Sequence, residues 1–191
     1  MGRLDMKVLG IVGLPGSGKG EFSKIAEQLG IPVVVMGDVI REEVQKIGLP
    51  PTGENMGIIS KALREKDGMA AIAIACIPVV ERQSDENKSN LVLIDGLRSD
   101  EEMHVLRDHF PDFVLIAINA PDEIRLTRLC SRGRSDDIRT REELQERDAR
   151  ETSFGLLKAI KMADLTIENK TDINTFKEKV ESVLNDLMTR E

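Results

Sequence analysis

Gly13-Leu14-Pro15-Gly16-Ser17-Gly18-Lys19-Gly20 stands directly behind the apolar run Val8-Leu9-Gly10-Ile11-Val12, and the reading of this junction decides the fold. A loop that wraps an anion needs backbone N–H groups turned inward, and glycine supplies the positive φ values and the close approach that a β-carbon forbids. Lys19 adds a point charge, and a helix starting at about Lys19 adds the positive end of its dipole. Together these features form a cradle for the β- and γ-phosphates of a nucleoside triphosphate. Its candidate contacts are Gly13, Leu14, Pro15, Gly16, Ser17, Gly18, Lys19, Gly20 and Glu21. The spacing follows G-x-x-x-x-G-K-[ST] up to the last position, where Gly20 replaces the hydroxyl residue.

Outward from the loop, residues 7–12 read as a fully buried parallel strand, because apolar residues run continuously instead of alternating. A helix over 19–29, with Phe22, Ile25, Ala26 and Leu29 on one face, stops at Gly30 and leads to the strand Val33-Val34-Val35. Asp38 is the expected N-cap of a short helix closed by Gly48 and Pro50-Pro51. A longer helical region follows from Glu54 to about Arg82, with Asp67-Gly68 and Pro78 as expected breaks or kinks. Leu91-Val92-Leu93-Ile94-Asp95 is the next strand, followed by helix 100–109, strand 113–118, and a helix start at Pro121-Asp122-Glu123. Thr140-Arg-Glu-Glu143 has the capping-box pattern, and a strand over 164–168 precedes a helix from about Asp172 to Met188. Five β-segments alternating with helices predict a doubly wound five-stranded parallel sheet.

At 191 residues the chain suits one α/β domain with inserted subdomains. A net charge of −7 argues against general affinity for nucleic acid or an anionic membrane, so an anion site must be local. Apolar runs fall short of a membrane span, and no signal peptide is evident. Two isolated cysteines, Cys76 and Cys130, then fit a reducing cytoplasm and no zinc site. Aromatic residues are only 3% of the chain, so a nucleobase is expected to pack on aliphatic side chains or an arginine plane. His104 and His109 read as ordinary helix-surface residues.

Chemistry concentrates at strand ends and in one arginine run. Asp95 closes a buried strand at its carboxyl end, where it can orient Mg²⁺ through the ion's water shell. Asp38 and Arg41 lie just past strand two and Arg98 just past strand three, so Arg41 and Arg98 are candidates to hold the phosphate of an acceptor. Residues 125–150 carry arginines and no lysine, with Arg128 and Arg132 one helical turn apart and Arg147 and Arg150 further on. Such side chains can stabilise charge on a transferring phosphoryl group, or they can lace a solvated helix in pairs such as Glu143 with Arg147. Asn169-Lys170-Thr171-Asp172 fits the N-K-x-D pattern of guanine recognition, but Asp172 is equally a helix N-cap and the D-x-x-G partner motif is missing.

These segments resemble adenylate kinases. The cradle is similar to their G-x-P-G-x-G-K-G loop, Gly37-Asp38-Val39-Ile40-Arg41 to their G-D-x-x-R segment, Asp95-Gly96-Leu97-Arg98 to their D-G-F-P-R segment, and Pro121-Asp-Glu…Arg128…Arg132 to the start of their lid. The resemblance spans the whole chain. The stretch Gly-Leu-Pro-Gly-Ser-Gly-Lys-Gly-Glu-Phe and the ending Ala163-Asp164 to Asn169 resemble more closely an archaeal family of adenylate-kinase-related proteins. That family's substrate is largely unassigned, and it is also similar to dephospho-CoA kinases. Glu21 stands where adenylate kinases have threonine, and Arg98 comes one position early without the proline. The resemblance implies a P-loop NTPase of nucleoside-monophosphate-kinase type, with a helical acceptor-binding insertion at 37–84 and an arginine-rich lid at 125–152. It also implies ATP and Mg²⁺ as cofactors and small nucleotides as partners. Lys19, Arg128, Arg132, Arg147 and Arg150 would surround the transferring group, Asp38, Arg41 and Arg98 would hold the acceptor, and Asn169 would lie at the ATP site. A dephospho-CoA kinase or other small-molecule kinase, and a non-kinase nucleotide-binding regulator or slow NTPase, are the alternative readings.

Overall fold

Strand β1 (Lys7–Val12) occupies the middle of a five-stranded sheet, as its unbroken apolar sequence requires, and every neighbouring pair of strands is parallel. The computed structural model describes residues 6–131 and 139–189. Its other strands are β2 (Val33–Val35), β3 (Leu91–Asp95), β4 (Asp112–Asn119) and β5 (Leu165–Glu168), in the order β2-β3-β1-β4-β5. This is the doubly wound parallel sheet expected from the alternation of elements. The order reverses at β1, so the cradle behind β1 opens at the switch point where ligands bind in such sheets.

Alternation along β1 builds a core on each face. Val8 and Val12 face a cluster that includes α4 (Ala71–Asn87) and α5 (Asp100–His109), through Ile72, Cys76, Val80, Met103 and Leu106. Leu9 and Ile11 face α1 (Lys19–Gln28) and α9 (Ile173–Thr189), through Phe22, Ile25, Phe176, Val180 and Leu184. Asp172 caps α9 as expected, accepting from the backbone N–H groups of Asn174 and Thr175 at 3.0 and 3.1 Å.

Between β2 and β3 lie α2 (Met36–Lys46), α3 (Gly53–Asp67) and α4; between β4 and β5 lie α6 (Asp122–Ser131), α7 (Arg141–Thr152) and α8 (Leu156–Lys161). Gly68 ends α3 as anticipated, with φ +87°. Three local readings need correction. Asp38 is not the N-cap of α2, because β2 runs straight into the helix and extended Val35 takes the cap position. Pro78 does not break α4; it is exposed, and Ile74, one turn earlier, is also exposed, so the carbonyl left without a donor can be hydrated. The sequence reading also omits α8, which starts at Gly155 with φ +99° and buries Leu156 and Ala159.

Candidate functional site

The cradle connects β1 to α1, and its glycines are required where the backbone turns left: Gly16 has φ +78° and Gly18 has φ +118°. Gly13 is required for space instead, since a Cβ there would lie 2.5 Å from Ile118 O. Two carbonyls of the loop are held from outside it. Arg125 Nη1 donates to Pro15 O at 3.0 Å, Asn169 Nδ2 to Ser17 O at 2.7 Å, and Arg128 Nη1 to Ser17 O at 3.4 Å. Because C=O and N–H point to opposite sides of a peptide plane, these bonds turn the N–H groups of Gly16 and Gly18 the other way. Lys19 Nζ lies against Gly13 O at 2.5 Å and Leu14 O at 3.3 Å. Burial lowers the Lys19 pKa, against the attraction of Asp95 and Glu151, which favours the charged form.

A cleft of about 710 Å³ runs from this cradle to the helices between β2 and β3. Asp95 lines it beside Lys19, and the Ser23 hydroxyl reaches Asp95 Oδ2 at 2.8 Å and Lys19 O at 3.1 Å. One hydroxyl proton can serve only one of these acceptors at a time. Ser23 stands on α1 one turn after Lys19, and its role was not legible in the sequence. At the far end Val35, Met36, Ile40, Ile72 and Leu97 form an apolar wall. Arg64 and Glu102 form an ion pair there at 3.1 Å, with the Glu102 side chain fully buried. Burial pushes the Glu102 pKa up, against its hydrogen bond from the Arg98 backbone N–H at 2.7 Å and the attraction of Arg64. Neither residue stands out in the sequence, because α3 and α5 bring them together from 38 positions apart.

Arg98 and Arg147 line the cleft, and Arg98 Nη1 lies 3.5 Å from Glu151, a wall carboxylate contributed by the end of α7. Arg128 lines it as well, donating to Asn169 Oδ1 at 2.8 Å. Asp38 and Arg41 are exposed and paired with each other on α2, and they are not in the lining. Arg150 is exposed and also absent from the lining, while Arg132 lies outside the described residues. Six cationic and four acidic side chains line the cleft, a positive excess in a chain of net charge −7.

Beside the cradle, a second hollow of about 410 Å³ is lined by Glu123, Ile124, Thr127, Arg128, Thr171 and Ile173. It offers aliphatic faces and an arginine. Asp172 does not face it as a base reader would, since its carboxylate is committed to the start of α9.

Asp95 fits a Mg²⁺ ion held mainly by phosphate oxygens and water, since one cleft-facing carboxylate is all that such an ion needs from the protein. Among the described residues no group of three or more His, Cys, Asp or Glu could hold a metal by itself.

Comparison with known proteins identifies the family and the fold. The family described as an AAA domain matches residues 12–145. A UPF0200 protein of Methanoregula boonei is 53% identical over 182 residues, covering 95% of this chain and 98% of the relative. Among solved structures, TT1252 from Thermus thermophilus has a TM-score of 0.64 at 18% identity, covering 95% of this chain and 98% of that one. A gluconokinase from Sinorhizobium meliloti has a TM-score of 0.56 at 16% identity, covering 98% and 95%. These likenesses are of fold, and the fold is that of P-loop kinases. The chain belongs to the UPF0200 family.

Proposed function

We propose that this member of the UPF0200 family is an ATP- and Mg²⁺-dependent phosphotransferase that moves the γ-phosphoryl group to a small phosphate-bearing acceptor, a nucleoside monophosphate such as AMP. The observation that carries the reading is the continuity of the cleft. One end is the cradle, and the other is an apolar wall built largely by the helices after β2, with Arg64 from α3 and Arg98 from the segment after β3. A simple NTPase needs only the first end.

The amides of the cradle and Lys19 hold the donor phosphates, and an arriving phosphate offers Lys19 stronger, charge-assisted acceptors than Gly13 O and Leu14 O. The donor base packs in the second hollow against Ile124, Ile173 and the Arg128 plane. Mg²⁺ would be held next to Asp95 and would neutralise charge on the phosphate oxygens. Arg98 binds the acceptor phosphate, and Arg147 faces the transferring group. Ser23 fixes the Asp95 carboxylate. The chemistry requires no protein nucleophile, because positioning and charge stabilisation carry it. An acceptor role for Arg41 with Asp38 requires Arg41 to leave its present partner. Arg132 and Arg150 are proposed to act on the same face. Free Cys76 and Cys130 suit a cytoplasmic setting.

An acceptor hydroxyl, as in dephospho-CoA or another small molecule, is the second reading. Glu151 favours it, because a carboxylate on the wall of a phosphate cleft can take the hydroxyl proton. A coupled assay with ATP, Mg²⁺, the four nucleoside monophosphates and dephospho-CoA separates the two readings. Replacement of Arg98 by Ala is expected to lose acceptor turnover while ATP binding stays. Equal loss of both would contradict the assignment of the two ends.

A further inference from the structure

Arg125 is the largest fully buried side chain in the described protein, and it is not among the residues that line the cleft. Its guanidinium joins three elements. Nη1 donates to Pro15 O of the cradle at 3.0 Å and to Asp148 Oδ1 at 2.9 Å; Nη2 donates to Asp148 Oδ2 at 2.5 Å and to Asp122 Oδ1 at 2.8 Å. Asp148 belongs to α7, so the fork grips that helix with both tines while one nitrogen also holds the phosphate loop. The backbone of α6 is equally close, since a Cβ on Gly16 would come within 2.9 Å of Arg125 O.

Two features indicate that this joint sets the pose of α7 rather than adding stability. Among the residues of α7 only Leu144 is buried, packing in a small cluster with Leu129 and Leu126, so little apolar surface anchors the helix. A buried ion pair is also weak evidence for stability, because desolvation offsets most of its attraction, and Arg125 Nε is left without a partner. The position of the joint carries the consequence. Arg147 directly precedes Asp148, and Glu151 follows it by one helical turn; both line the cleft. One guanidinium thus links Pro15 to the turn of α7 that carries the two cleft-facing residues of that helix.

We propose that Arg125 is a positioning residue that couples occupancy of the phosphate cradle to the placement of Arg147 and Glu151. The inference rests on the reading that the cradle binds nucleotide, and it does not depend on what the acceptor is. The test is amide hydrogen exchange on the full chain, with and without Mg²⁺ and ADP, in the wild type and in Asp148→Asn. Asp148→Asn keeps the shape of the side chain and removes the charge-assisted fork. ADP is expected to slow exchange across 141–152 by about tenfold in the wild type. In Asp148→Asn, ADP should bind within about threefold of the wild-type Kd, and the protection of 141–152 should be lost. A merely structural joint would lower the Tm of the variant and leave the ADP-dependent protection intact, and that result overturns the proposal. So does a wild type that binds ADP without protecting 141–152, a result that stands even if the variant fails to fold. A wild type that does not bind ADP overturns the nucleotide reading itself.

Discussion

Gly20 occupies the position at which the expected motif carries a hydroxyl, and a Cβ placed there meets no atom within 4 Å. The fold therefore does not require glycine at this position, unlike Gly16 and Gly18 with their positive φ. Since glycine in a helix costs about 0.5–1 kcal/mol relative to alanine, Gly20→Ala should raise unfolding stability by about that amount. The same substitution should weaken ATP binding in calorimetric titration, because Gly20 lines the cleft. Unchanged affinity would mean that no ligand atom approaches it. The cysteines make a second residue-scale prediction. Burial pushes the Cys76 thiol up to about 12, while Cys130 is exposed. Native protein at pH 8 should therefore take up one equivalent of alkylating reagent, at Cys130, and a second only on unfolding. The cradle was legible because its eight residues are contiguous and their spacing is itself the signal. Ser23, Arg64, Glu102 and Glu151 were not, because each matters through a partner far along the chain.

Among elements, the helices show where local rules were sufficient and where tertiary context overrode them. Gly68 stops α3 and Asp172 starts α9 as the sequence indicated, since both act within a single turn. Hydrogen bonds from the Thr175 hydroxyl, at 2.7 Å, and from the backbone N–H groups of Thr175 and Asn174 hold the Asp172 carboxyl below the ordinary aspartate range. A depressed acid stabilises the fold above its unfolded pKa and loses that contribution as pH falls through the folded value, so the cap fails only on strong acidification. Pro78 runs against its local rule. It sits inside α4 at an exposed position, so Pro78→Ala should restore a helical N–H and raise the urea midpoint, by up to about 3 kcal/mol in stability. A lower midpoint would show that the proline carries a bend that the core of α4 requires. The α8 helix is not legible in the sequence, because its six residues are too few to show a period.

For the whole molecule, the parallel sheet followed from the alternation of apolar strands with helices, and the comparison with solved structures shows the same fold. The cleft adds what alternation could not: a positively charged channel between two ends in an acidic protein. Lys19→Ala is expected to weaken ATP binding by tenfold or more, about 1.4 kcal/mol, while leaving the sheet intact by circular dichroism. Phosphoryl transfer between the two ends is what separates a kinase from an NTPase. Its most direct test is to incubate the protein with γ-labelled ATP, Mg²⁺ and a panel of nucleoside monophosphates and dephospho-CoA, and to separate the products. Label on an acceptor, lost on replacement of Arg98 by Ala, is the predicted result. Label found only as inorganic phosphate whatever the acceptor would rule out transfer and leave a nucleotide-hydrolysing or nucleotide-sensing protein in its place.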